Sequence, residues 1–184
     1  MLITPGKVII KVPTKPYLRK WVYARYGSPV KLNYHSTIGT IILCLLDKKT
    51  FTLNYFNAEK KEIRLAKMTD HIECIKPRSA MYYAGFSLDD NKIIAINRYF
   101  EEQFQEELYN FCQNNIKDKK WRPGIAKAIA SFTETYGIIM DEDVTLEALK
   151  QAEFRHRKNI EKTLQTFVPQ LKTHSSKGFH RITA

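Results

Sequence analysis

Between Asp89 and Ile116 large apolar residues return every three or four positions: Ile93, Ile96, Phe100, Phe104, Leu108 and Phe111. That spacing marks one face of a helix. A stripe of this length has to be covered, so the rest of the chain must supply surfaces that lie along it. Glu101, Glu102, Glu106 and Glu107 fall mostly off the stripe and give the segment an acidic side.

The segments before it read as a mixed strand and helix lobe. KVIIKV (7–12) is β-branched and bounded by Gly6 and Pro13, as a strand would be. Thr14 is placed to cap a helix through PYLRKWVYARY, with Pro16 in the first turn and Gly27 as the stop. Ser36 is placed to cap the apolar helix TIGTIILCLLDK. FTLNYF (51–56) and EIRLAKM (62–68) read as two strands of a hairpin, and residues 69–88 carry no clear pattern.

After the long helix, KDKKWRP reads as a joint, GIAKAIASFTETYG as a helix stopped by Gly137, and IIMDEDV as a turn. Thr145 then caps a last helix. The tail from Thr166, with Pro169 and Gly178, reads as loosely ordered. The expected architecture is α+β and helix-rich: a mixed lobe over 1–88, a connecting amphipathic helix over 89–116, a helix–turn–helix-like pair over 117–165 and a tail over 166–184.

Charge divides along the same lines. The net charge of +11 arises from +10 in residues 1–88, −4 in 89–116 and +5 in 117–184. Two basic parts flanking an acidic middle favour polyanionic partners met on chosen faces. The acidic stretch would turn away from such a partner. With 43% hydrophobic and 12% aromatic residues, a disordered chain is excluded. Three scattered cysteines without a CxxC pair suit reduced structural thiols. The N-terminus lacks the pattern of a secretory signal, and the longest apolar run, IILCLL, is too short to span a bilayer. A cytoplasmic setting, with no membrane partner, is the expectation.

The last helix carries the functional expectation. On a helical wheel Leu146, Leu149, Ile160 and Leu164 share a core-facing arc with Glu153 as an intruder. Lys150, Gln151, Phe154, Arg155, Lys158 and Lys162 lie on another arc, with Arg157 at the boundary. Cations, an amide and an aromatic on one face suit phosphates and base edges. The preceding helix offers Ile125, Ala126, Ile129, Phe132 and Tyr136 as its packing face. Together they suggest a helix–turn–helix arrangement with the basic helix in the reading position, though the connection is longer than the tight motif allows. Lys119, Lys120 and Arg122 would hold phosphates beside it. Asp141, Glu142 and Asp143 would sit at the helix start as favourable dipole partners. The plainer reading makes this an amphipathic helix with solvated cations.

FTETYGI, an acidic turn and VTLEALKQAEFRHRK, together with KVPTKPYLRKWVYARYG near the start, resemble small basic proteins encoded by bacterial phages and mobile elements. The resemblance implies a bacterial or phage setting and no catalytic residues, with DNA binding inferred for such proteins. The leading expectation is DNA binding, with transcriptional control in a phage or mobile element as one form of it.

Two further nucleic-acid readings exist. KVIIKV could serve as the paired ribbon of a ribbon–helix–helix dimer, exposing Lys7, Ile9 and Lys11. The helix 16–26 interleaves Arg19, Lys20 and Arg25 with Tyr17, Trp21, Tyr23 and Tyr26, which suits a single strand or, equally, a core helix with surface cations. RNA is admitted by the same chemistry, and a dimer by the ribbon arrangement. The reading of a different class is a protein–protein adaptor or phage structural component, working through the acidic helix and Tyr82, Tyr83 and Phe86.

No constellation points to an enzyme or a cofactor. His71-Ile72-Glu73-Cys74 has an H-x-E spacing without the following P-C-x-x-C of zinc deaminases. The five histidines lack metal-ligand spacing, and no phosphate-loop or dinucleotide motif occurs.

Overall fold

The computed structural model describes residues 2–4, 7–46, 58–77, 88–116 and 124–175, with side chains over 8–46, 62–76, 88–115 and 124–165. In chain order the elements are β1 (Leu2–Thr4), β2 (Lys7–Thr14), α1 (Pro16–Tyr26), β3 (Val30–Lys31), α2 (Thr37–Leu45), α3 (Ala58–Ala66), β4 (Asp70–Pro77), α4 (Asp90–Ile116), α5 (Ile125–Thr135) and α6 (Leu146–Ser175). The class is α+β and helix-rich, as the sequence suggests.

The strands form one mixed sheet in the order β1-β2-β4-β3. β2 and β4 pair antiparallel along their whole length, and β3 joins β4 in parallel. Side-chain alternation gives the sheet two unlike faces. Val8, Ile10, Val12, Ile72 and Cys74 are buried on one. The register sets Ile10 opposite Cys74 and Val12 opposite Ile72, so the apolar residues pair across the strands. On the other face Lys11 and Glu73 lie opposite one another, 3.5 Å apart and half exposed.

Two expectations about this lobe are corrected. EIRLAKM is not a strand: its first five residues close α3, and FTLNYF lies outside the described residues. The partner of KVIIKV comes instead from the segment without a clear pattern, as β4. Thr14 does not cap α1. Lys15 holds the N-cap position without a side-chain bond, while Thr14 ends β2 and its hydroxyl donates to Asn97 Oδ1 at 2.5 Å. The other expected caps and glycine stops hold. Ser36 Oγ accepts from Gly39 N at 3.1 Å, Thr145 Oγ1 accepts from Ala148 N at 3.3 Å, and Gly27 and Gly137, both at positive φ, follow α1 and α5.

α4 is the spine of the molecule. Ile96, Phe100, Phe104 and Leu108 are fully buried, Ile93 nearly so, and Phe111 partly. α1, α2, α3, α5, α6 and β2 all pack against α4. The ring of Phe104 meets those of Tyr17, Trp21 and Phe132 at 5.0, 6.0 and 5.5 Å, and Phe132 meets Phe111 and Tyr136. These tilted and edge-on contacts tie α1 and α5 to the same stretch of the spine. Asn97 fastens the end of β2: its amide donates to Pro13 O at 2.7 Å and to Ile93 O at 3.0 Å while its oxygen receives Thr14. One continuous apolar cluster runs from Val8 to Leu149.

The acidic side of α4 has internal work. Glu101 bonds Lys15 at 2.6 Å. Glu107 accepts from Trp21 Nε1 at 3.0 Å, from Arg25 and from the Tyr136 hydroxyl. Burial, then the hydrogen bond and charge of Glu107, push the Tyr136 hydroxyl up to about 12. Two of the acids of α4 thus anchor α1 and the end of α5.

Candidate nucleic-acid interface

α5 and α6 are joined by residues 136–145, a connection with its own order. Asp143 Oδ2 accepts from Ile139 N at 2.7 Å and from Lys20 Nζ at 2.5 Å, and its side chain is 8% exposed. Asp141 N donates to Val144 O at 3.0 Å. Asp143 therefore shapes the loop and pins it to α1, a role beyond the dipole position expected of the acidic cluster. Each cation of the α1 stretch meets an acid from another element: Lys15 with Glu101, Arg19 with Asp70 at 2.7 Å, Lys20 with Asp143 and Arg25 with Glu107. Trp21 is fully buried. The basic–aromatic pattern of α1 is a core helix whose cations are neutralised within the chain. The ribbon reading meets a similar obstacle, since β2 pairs with both β1 and β4 of its own chain.

α6 packs one side against α4 and α5. Leu149 is buried, Leu146 and Ile160 are half-buried, and His156 stacks on Tyr109 with centroids 5.4 Å apart. Glu153, the intruder, is 1% exposed and its carboxylate has no hydrogen-bond partner among the described residues. Arg157 Nε lies 3.8 Å from it. Burial and the charge of Glu153 raise the neighbouring Cys112 thiol to about 11. Leu164 departs from expectation: it is 59% exposed because α6 has by then passed the end of the core. The helix also continues through Pro169 to Ser175, into the stretch expected to be loosely ordered.

The opposite side carries the expected face. Gln151, Phe154, Arg155, Lys158 and Lys162 are exposed, and Lys150 and Arg157 half-buried. Phe154, 49% exposed, has the Arg157 guanidinium 5.5 Å and the Lys158 ammonium 5.8 Å from its ring centre. Gln151 accepts from Arg155 at 3.3 Å, leaving the Arg155 charge without an acid partner among the described residues. Lys150 and Lys158 pair with Glu147 and Glu161 at 3.5 and 3.3 Å, one helical turn away. Such exposed pairs contribute only about 0–1 kcal/mol, so a phosphate can compete for these lysines. Arg157 is held by a buried carboxylate and is the least available of the set. Lys119, Lys120 and Arg122 lie outside the described residues, as do Tyr82, Tyr83 and Phe86.

A basic cleft of about 330 Å³ adjoins this face, and Arg155 lines it together with Lys15, Arg64, Lys67, Arg98 and Glu101. Sequence reasoning missed the other cations. Reading 62–68 as a strand hid the one-turn spacing of Arg64 and Lys67, and the remaining residues come from distant segments.

Among the described residues no three His, Cys, Asp or Glu side chains gather as a metal ion would require, and no helix is long and apolar enough to cross a membrane. His71 and Glu73 stand on the outer sheet face while Cys74 points into the core, so the H-x-E-C run is split by strand alternation. Comparison with family models, curated proteins and solved structures finds no match.

Proposed function

We propose that the protein binds nucleic acid, duplex DNA in the first place, through the exposed face of α6. The observation that carries this reading is Phe154: a large aromatic left in solvent between two cations, on the side of the helix away from the core. The ring is no part of the apolar core. It suits contact with a thymine methyl or a base plane. Gln151, Arg155, Lys158 and Lys162 recur at four, three and four residues, forming a line of roughly 16 Å at 1.5 Å per residue. A single helix enters the major groove, which is about 12 Å wide. A transcriptional role in a phage or mobile element, in a cytoplasmic setting, is the biological form of the proposal. The unpaired thiols Cys44, Cys74 and Cys112 suit that compartment.

Replacing Arg155 and Lys158 together by Ala should lower the slope of log affinity against log salt by about two, one unit per lost phosphate contact. The thermal midpoint should stay in place, because both side chains are exposed. An unchanged slope and affinity would remove α6 from the interface.

The exposed Leu164 supports a second reading, of a partner protein lying along the distal half of α6. Retention of a protein partner by the Arg155/Lys158 double variant, with no nucleic-acid binding by the parent, would favour it.

A further inference from the structure

The cleft beside α6 gathers charge from four separate parts of the chain. Lys15 comes from the start of α1, Arg64 and Lys67 from the end of α3, Arg98 and Glu101 from α4, and Arg155 from α6. Five cations thus face one carboxylate. Glu101 is engaged by Lys15 at 2.6 Å, and Arg98 bonds Glu102 at 2.8 Å. Lys67 and Arg155 have no acid partner among the described residues. Lys67 and Arg155 thus bring two uncompensated charges to the same cleft, and a shared anion relieves their repulsion.

The floor is built and not simply open surface. Ile94 and Asn97 are 3% and 2% exposed. The Asn97 amide already serves Pro13, Ile93 and Thr14, so it holds the floor in place and leaves recognition to the charged walls.

We infer that this cleft is a phosphoryl-binding site, and that its occupant is a backbone phosphate of the strand that crosses α6. The second half of this inference rests on the proposed nucleic-acid reading. Two features favour a strand over a free nucleotide. Arg155 belongs to both the cleft and the α6 face, so one backbone passes both. No aromatic side chain lines the cleft among the described residues, so the base of a free nucleotide would find no stacking surface there. A strand can place its bases against Phe154 while its phosphate enters the cleft.

The test compares the parent protein with Lys67→Ala/Arg98→Ala and with Phe154→Ala, using a labelled duplex in anisotropy titrations across salt. Both cleft side chains are exposed, so folding is expected to persist, and the thermal midpoint checks it. We expect the cleft variant to lose about one unit of salt slope, for the one phosphate it no longer holds, and inorganic pyrophosphate to compete with duplex for the parent more strongly than for this variant. If the cleft variant keeps the parent's affinity and slope while Phe154→Ala loses binding, the strand path is overturned and the α6 reading stands. If the parent binds no nucleic acid, the α6 reading fails by itself. A calorimetric titration with pyrophosphate then decides the cleft: saturable binding lost in the variant supports a phosphoryl site for a free ligand, and no binding overturns it.

Discussion

Glu107 is the residue on which most elements converge. One carboxylate receives the Trp21 indole, the Arg25 guanidinium and the Tyr136 hydroxyl, joining α1, α4 and the end of α5. Removing it strands a buried indole N–H and an ion-paired arginine. Glu107→Ala should therefore cost about 2–3 kcal/mol in urea unfolding. Its neighbour Glu106, exposed on the same turn, should change stability by less than about 0.5 kcal/mol when replaced. Equal effects at the two positions would contradict the convergence. The thiols give a second test at this scale. Cys74 and Cys112 are fully buried, and burial raises them to about 12 and about 11. Both stay protonated and shielded at pH 8, whereas Cys44 is exposed. A thiol reagent should label one cysteine quickly in the native protein and the other two only in denaturant. Rapid labelling of two or three would contradict the packing of α1 against β4 and of α4 against α6.

Single elements differ in how plainly the sequence announces them. α4 was legible because its stripe repeats over about five turns and because burial follows that stripe. α3 was misread because Ile63 and Leu65 mimic strand alternation, yet Ile63 is 52% exposed and contributes little to the core. β4 has few apolar residues of its own and owes its place to β2, a partner 60 residues upstream that no local pattern reveals. The core face of α6 was legible as far as Ile160. Leu164 was not: it continues the same stripe yet is 59% exposed. The cleft was illegible altogether, because its walls belong to four segments that only the topology brings together. α2 offers a prediction at this scale. A Cβ on Gly39 would lie 2.0 Å from the backbone oxygen of Asn33 and 2.6 Å from Ser36 Oγ. Gly39→Ala should thus cost about 1–3 kcal/mol by overpacking, read as a lowered thermal midpoint. An unchanged midpoint would mean that the loop before α2 runs elsewhere.

Across the whole molecule, charge is sorted by the fold. The N-terminal cations that look most like a nucleic-acid surface in the sequence are paired with acids of α4, β4 and the loop before α6. Among the described residues, α6 and the adjoining cleft carry a positive surface in which Arg155 and Lys67 have no acid partner. With a net charge of +11, such a surface favours a polyanion, while Glu101 and Glu107 of the acidic stretch are engaged by α1 and the end of α5. The most direct measurement is an anisotropy titration of the protein against random duplex DNA, single-stranded DNA and RNA at several salt concentrations. Duplex binding that weakens steeply as salt rises is the predicted result. Failure to bind any of the three at low salt would contradict it, and would leave the cations of α6 as solvated surface charge.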